Sequence, residues 1–319
     1  MKKILFAILS FLLLPVPVLG ALNTHSIDLE LSGSQYLSAS DSSSLSPTGD
    51  ITIEACINYE TLAVYAVNSS AIVSKKVDNV SQGSYELYVE EASGGSNQNF
   101  VGFRYTGSGN LATGDTHKKT PDNTFSNADL GDWKHIAVTA DVSAQDIHIY
   151  VDGVDQSLST ISTNASAIFD GTASVSIGAG AQGSGQFFDG KIDEVRIWDH
   201  VRTSGEINAD MAETIDPASS GLLGYWRLDN SLLDETANNN DLTNTNSASF
   251  VASPCFTGTA DPPAEVTTST IESAGINDFW ENYGDSLLWI LGSLLFLAFI
   301  ASLKDVIVHL ITWSKRKIL

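Results

Sequence analysis

Residues 131–153 read GDWKHIAVTADVSAQDIHIYVDG, and this stretch decides the fold. Trp133, His135, Ala137 and Thr139 alternate with Lys134, Ile136, Val138 and Ala140. After a short polar turn, Ile147, Ile149 and Val151 alternate again, so the period is two and the prediction is a pair of antiparallel strands. The first strand carries apolar residues in both phases, as a strand covered on both faces does, and Asp152-Gly153 marks a turn after the second. The pair therefore belongs inside a sandwich and not at its edge.

Working outward, the pattern GxWxHxAVTxD…YVDG is followed by FxGKIDEVRIWxxxxxxxEI from Phe188 to Ile207. Upstream stand LELSGSQYLSASDSSSLSPTGDITIEACI from Leu29 to Ile57, AIVSKK from Ala71 to Lys76 and YELYVE from Tyr85 to Glu90, and GLLGYWRLD from Gly221 to Asp229 closes the series. In this order the motifs resemble the laminin-G-like and pentraxin-like branch of the concanavalin A-like jelly rolls, over roughly residues 26 to 253. The resemblance implies an all-β fold, a two-sheet antiparallel jelly-roll sandwich. It says less about function, because this fold hosts lectins, adhesion modules, receptors and hydrolases.

The remaining segments read 26–31 and 34–39 as short strands around Gly33, a Ser-rich loop from Asp41 to Gly49, and a hairpin of Tyr85–Glu90 with Phe100–Tyr105. Ser174–Gly178, Gly190–Trp198, Leu222–Leu228 and Ser249–Ala252 are further strands, and Thr203–Met211 is the one short helix expected in the domain. Thr106–Leu130, which includes His117-Lys118-Lys119, is expected as a long polar loop and as the first place to look for a ligand.

Both ends of the chain differ from its middle. Lys2-Lys3, the apolar run Ile4–Leu14 and the small residues before Ala21 have the form of a secretory signal peptide, residues 1–20. The jelly-roll domain then spans 21–256. Residues 257–285 form a Thr- and Pro-rich stalk with an acidic juxtamembrane part, and 286–313 is expected as a single transmembrane helix. Trp280, Tyr283 and Trp289 cluster at one end of that run, while Trp313 and the basic tail 314–319 stand at the other, which orients the ectodomain outward.

Of the 16 Lys and Arg, Lys2, Lys3, Lys304, Lys315, Arg316 and Lys317 lie at these ends, and of the 38 acids only Asp305 does. The part between keeps 10 basic and 37 acidic residues, a field that repels phosphate backbones and excludes nucleic acid as a partner. Cys56 and Cys255 both fall in the exported part, where a disulfide can form. Cys56 stands where the resembled family usually carries a tryptophan. Two free thiols or an intermolecular bond are the alternatives to a Cys56–Cys255 bridge.

Catalysis finds little support in the residues. Glycosidases of this fold set paired carboxylates at alternate strand positions, as ExDxE, and no such run occurs. Asp193 and Glu194 are adjacent and are expected on opposite strand faces. There is no G-x-S-x-G elbow and no pair of His or Cys at zinc spacing, and His135 reads as a satisfied core or edge histidine. No catalytic residue is assigned.

Calcium is the cofactor the resemblance raises. Pentraxins gather acids and amides before the strand that corresponds to 190–198, but Gly178–Gln186 has no carboxylate. The other candidate is Asp229–Asp241, where Asp234, Asn238, Asn240 and Asp241 could close on one Ca²⁺, or else stabilise a turn through their own side chains. The expected function is a non-enzymatic, membrane-anchored recognition protein that binds a glycan or a surface protein. A filamentous-phage attachment protein shares the same layout, and a polysaccharide hydrolase is the remaining alternative.

Overall fold

The computed structural model describes residues 23–61, 69–91 and 98–256. The expected signal peptide, stalk, transmembrane helix and basic tail fall outside the described residues, and among the described residues no helix is long and apolar enough to cross a membrane.

The strands are β1 (Ser26–Leu29), β2 (Tyr36–Ala39), β3 (Ile51–Tyr59), β4 (Ser69–Lys75), β5 (Tyr85–Glu91), β6 (Gln98–Thr106), β7 (Asp115–Lys119), β8 (Phe125–Ser126) and β9 (Trp133–Asp141). They continue as β10 (Asp146–Val151), β11 (Val154–Asp155), β12 (Ser159–Thr163), β13 (Val175–Ile177), β14 (Gly190–Trp198), β15 (Leu222–Trp226), β16 (Thr243–Thr245) and β17 (Ser249–Val251). One sheet, called A, runs β11-β10-β9-β3-β14-β1-β17 with β15 beside β14. The other, B, runs β12-β7-β6-β5-β4-β13-β2-β16 with β8 beside β6. Every pairing between strands is antiparallel, as a two-sheet jelly roll requires.

Alternation builds the core. Ile51, Ile53, Ala55 and Ile57 of β3 and Ile136, Val138 and Ala140 of β9 face Leu87, Val89, Val101, Phe103, Val175 and Ile177 from sheet B. The second apolar phase of β9 has its own partner. Helix α1 (Ser204–Asp210) lays Ile207 on Ala137 and Tyr150, so the outer side of sheet A is covered there. Its start is a capping box, in which Thr203 accepts from the Glu206 N–H while the Glu206 carboxylate accepts from the Thr203 N–H.

Two expectations need correction. The Thr106–Leu130 stretch is not a loop throughout, because β7 and β8 both pair with β6 inside it. Its inward residue Thr116 is polar and is satisfied by the loop beyond β12, donating to the Ala165 carbonyl at 2.8 Å. Hydrophobic alternation therefore could not disclose the strand. Nor do Asp193 and Glu194 point to opposite faces. The pairing of β14 with β3 slips between Asp193 and Arg196, Glu194 has φ +50°, and this bulge turns both carboxylates to the outer side of sheet A.

The disulfide is present. Cys56 in β3 bonds Cys255 with an S–S distance of 2.04 Å and closes a separation of 199 residues. Asp193 is the neighbouring joint, since its Oδ2 accepts from Asn23 Nδ2 at 2.7 Å and from the Cys255 N–H at 2.9 Å. Burial and the charge of Glu194 push the Asp193 carboxyl well above the usual carboxylate range.

Candidate binding face

Because opposed residues in antiparallel strands point to the same side, register alone defines a row across sheet B. Thr243, Ser38, Ser176, Ser74, Glu86, Arg104, His117 and Ser162 are successive partners across β16, β2, β13, β4, β5, β6, β7 and β12. Their chain neighbours Leu37, Ala39, Val73, Tyr85, Leu87, Phe103, Tyr105, Val175 and Ile177 all enter the core, so the row faces outward. At the usual strand spacing it is about 33 Å long.

Exposure along the row is uneven. Thr243, Ser38, Arg104 and Ser162 are exposed or half-buried, whereas Ser176, Ser74, Glu86 and His117 are buried. The result is a polar floor between accessible flanks. In that floor the Oγ atoms of Ser74 and Ser176 have no hydrogen-bond partner. Buried hydroxyls are ordinarily satisfied, and this pair is an exception, a polar spot in the floor that is closed to solvent.

At the centre, Glu86 is fully buried between two cations. Lys76 Nζ lies 2.5 Å from its Oε1, and Arg104 donates from Nε at 2.8 Å and from Nη2 at 2.6 Å to its Oε2. Burial would raise the Glu86 carboxyl, yet Lys76 and Arg104 hold it below the ordinary range. Lys76 also donates to Asn79 Oδ1 at 3.0 Å and to Gln186 Oε1 at 2.7 Å, so the ion group fastens two loops to the rim. Gln186 belongs to the loop that lacks carboxylates, and its amide serves this network.

Beside the ions lies an aromatic group. The Tyr88 ring crosses Gly102, where an added Cβ would stand 2.4 Å from it, and the Tyr88 hydroxyl reaches His117 Nε2 at 2.6 Å. Phe100 packs edge-on against Tyr88, and Lys119 Nζ sits 4.0 Å above the centre of the Phe100 ring. Burial, with help from Arg104, lowers the His117 pKa to about 4.

That shift has a definite sign. An unfolded histidine takes its proton near pH 6.5, whereas folded His117 resists until about 4, so the folded state loses stability as pH falls through that window and levels off below it. Urea titrations of the wild type and His117→Gln between pH 7.5 and 4 should diverge by about 2–3 kcal/mol, with the wild type falling further. Parallel curves would show that His117 protonates as readily in the folded protein as in the unfolded one.

The predicted calcium loop is drawn together, but its polar atoms serve the chain itself. Asp234 Oδ1 accepts from the Tyr225 and Thr236 N–H groups, and its Oδ2 accepts from Thr236 Oγ1 and the Asn240 N–H. Asn240 Oδ1 accepts from Ser42 and Ser44, Asp241 Oδ1 accepts from the Asp234 N–H, and Asn238 Nδ2 donates to the Leu223 carbonyl. These bonds are those of a turn stabilised by its own side chains. A separate acidic group, Asp28, Glu30 and Glu60, lies at the end of β1 and β3, half-buried to exposed.

The outer side of sheet A is occupied by a buried ion network. Trp198 Nε1 and Arg202 Nη1 donate to Glu54 Oε1 at 2.8 and 2.7 Å, and His135 Nε2 lies 3.3 Å from Glu54 Oε2. Against the upward effect of burial, His135, Arg196 and Arg202 bring the Glu54 carboxyl to about 2. Glu194 is held by Arg196 at 2.9 Å and by the Tyr225 hydroxyl at 2.6 Å. The IDEVRIW motif and His135 are thus parts of a structural ion network.

Sequence reading missed most of sheet B's outer row, since its eight residues come from eight separate stretches. The alternation in Tyr85–Glu90 does place Glu86 and Tyr88 on the face opposite Tyr85 and Leu87, and that was the available signal.

Comparison with known proteins agrees with the architecture. A family described as the Concanavalin A-like lectin/glucanases superfamily matches residues 31–208, more than half of the chain. Among solved structures, a Bacteroides ovatus protein described as carbohydrate-binding is similar at 22% identity and a TM-score of 0.52, over 72% of this chain and 60% of its own. The heptameric SAP-like pentraxin of Limulus polyphemus is similar at 13% identity and a TM-score of 0.50, over 72% of this chain and 96% of its own. At these identities the likeness is one of fold. No curated protein matches the sequence.

Proposed function

The chain belongs to the Concanavalin A-like lectin/glucanases superfamily, and we propose that it is a non-enzymatic recognition protein whose jelly-roll domain binds a glycan on the outer face of sheet B. The observation that carries this reading is the polar row from Thr243 to Ser162, whose members Thr243, Ser38, Arg104 and Ser162 are open to a ligand. Sugars are recognised by many hydrogen bonds to their hydroxyls, and the open polar side chains of this face supply donors and acceptors for them, with the Tyr88 and Phe100 rings buried behind. The carbohydrate-binding description of the Bacteroides protein points the same way. The buried carboxylates of Glu54, Asp193 and Glu194 on sheet A are committed to Arg202, to Asn23 with the Cys255 N–H, and to Arg196, which supports binding without turnover.

In the same proposal, residues 257–285 act as a stalk and 286–313 as a membrane helix that holds the domain outside the cytoplasm. The phage reading keeps the domain's role and changes only what the helix is anchored in.

The test is glycan retention by the full chain in detergent, read together with release of reducing ends. Ser38→Arg places a long cation on the half-buried flank of the row and is expected to weaken retention at least tenfold, about 1.4 kcal/mol or more. Val201→Arg, on an exposed residue beyond β14, should leave retention unchanged. Equal retention by both variants would move the ligand to another surface, and new reducing ends would replace binding by hydrolysis.

A further inference from the structure

The disulfide does more than join two segments, because of where each cysteine lies. Cys56 sits inside β3, opposite His135 of β9 and Asp193 of β14. β3 is nine residues long, is bonded on both sides and occupies the middle of sheet A. Cys255 stands at the other extreme, one residue before the end of the described domain. The strands leading to it are short, with five residues in β15, three in β16 and three in β17. β16 and β17 are also the outermost strands of their sheets.

Suppose the chain beyond residue 256 is pulled while the outer face of sheet B is held. Without the bridge, the pull arrives at β17, whose three pairs to β1 would open one after another, followed by β16 and β15. With the bridge, the pull passes from Cys255 across the sulfurs into β3. Opening must then begin in a strand with eight partners in β9 and seven in β14. Every residue of the polar row except Ser38 lies between Cys56 and Cys255, inside the covalently closed loop.

We propose that the domain is a load-bearing attachment, in which the Cys56–Cys255 bridge carries tension from the chain after residue 256 into the central strand β3 and keeps the binding face intact under pull. The partner this fits is an immobile one, a glycan fixed to a surface, since a freely diffusing ligand exerts no tension. The inference rests on sheet B being the ligand face and on the C-terminal segment being held.

Single-molecule force spectroscopy of the full chain in detergent micelles tests it. One handle is a peptide tag inserted between the exposed residues Ala112 and Thr113, in the connection from β6 to β7, and the other is at the C-terminus. The oxidised chain should show no release before the domain unfolds as a whole. After reduction on the tether, an early release on the order of 100 Å should precede global unfolding, as residues 222–255 peel away at ~3.3–3.6 Å each. Cys56→Ala with Cys255→Ala should reproduce the early release, and reduction in place keeps the test open if that variant does not fold. Identical traces before and after reduction, or an early release in the oxidised chain, would overturn the proposal. If the bridge reroutes the pull but Ser38→Arg leaves glycan retention unchanged, the ligand assignment fails and the load path stands.

Discussion

Removing the Cys56–Cys255 bridge is expected to lower the unfolding free energy by about 5 kcal/mol, from the chain entropy regained by an unfolded loop of 199 residues. The paired replacement Cys56→Ala and Cys255→Ala keeps the Asp193 contact, since that bond uses the Cys255 backbone N–H. The loss should therefore come chiefly from the unfolded side. In a domain of this size it corresponds to a fall in Tm of roughly 10–20 °C. Urea unfolding with and without reductant measures it directly, and a difference below about 1 kcal/mol would show that residual structure in the unfolded chain already holds the two segments together.

The second large effect is expected at Arg196. Its guanidinium is buried, bonds Glu194 Oε2 at 2.9 Å, and donates to the carbonyls of Asp210 and Glu213 at 2.9 and 2.5 Å. It also lies 4.0 Å from Glu54 and over the ring of Tyr225. Arg196→Met fills much of the same volume but leaves Glu194 and Glu54 buried with less countercharge and frees two carbonyls. A loss of about 3–5 kcal/mol is expected, the usual result when one partner of a buried ion pair is removed. Replacing both ions in Arg196→Met with Glu194→Met should recover part of that loss, because no unmatched carboxylate then remains at position 194. Circular dichroism melts of the wild type and the two variants decide the matter. A double variant as unstable as the single one would assign the loss to the Asp210 and Glu213 carbonyls instead of the carboxylates.

The fold was legible because its signals are local. Trp133–Asp141 and Asp146–Val151 carry their period in consecutive residues, and the Thr203 to Glu206 capping box announces its helix within four. The β7 strand was hidden because its inner residue Thr116 is polar and satisfied by a distant carbonyl, leaving no apolar period to read. The bulge at Glu194 was hidden for a related reason, since left-handed backbone at a glutamate has no sequence mark and reverses the alternation that seemed to separate Asp193 from Glu194. The outer row of sheet B needed the pairing order of eight strands before its members could be set side by side. Composition was no guide, because Ser38, Ser74 and Ser176 look the same in a list as the serines of the 41–49 loop.

One consequence of the joint at Asp193 concerns the history and use of the domain and not its stability. A single carboxylate oxygen receives Asn23 from the start of the domain and Cys255 from its end, so the two termini leave the sandwich side by side. A module whose ends meet can be spliced into a loop of another protein, or cut open elsewhere and rejoined through a short linker, without opening a gap in its host. Seen this way the jelly roll is a cassette, and different segments can be joined at its two ends while the outer face of sheet B is carried along unchanged.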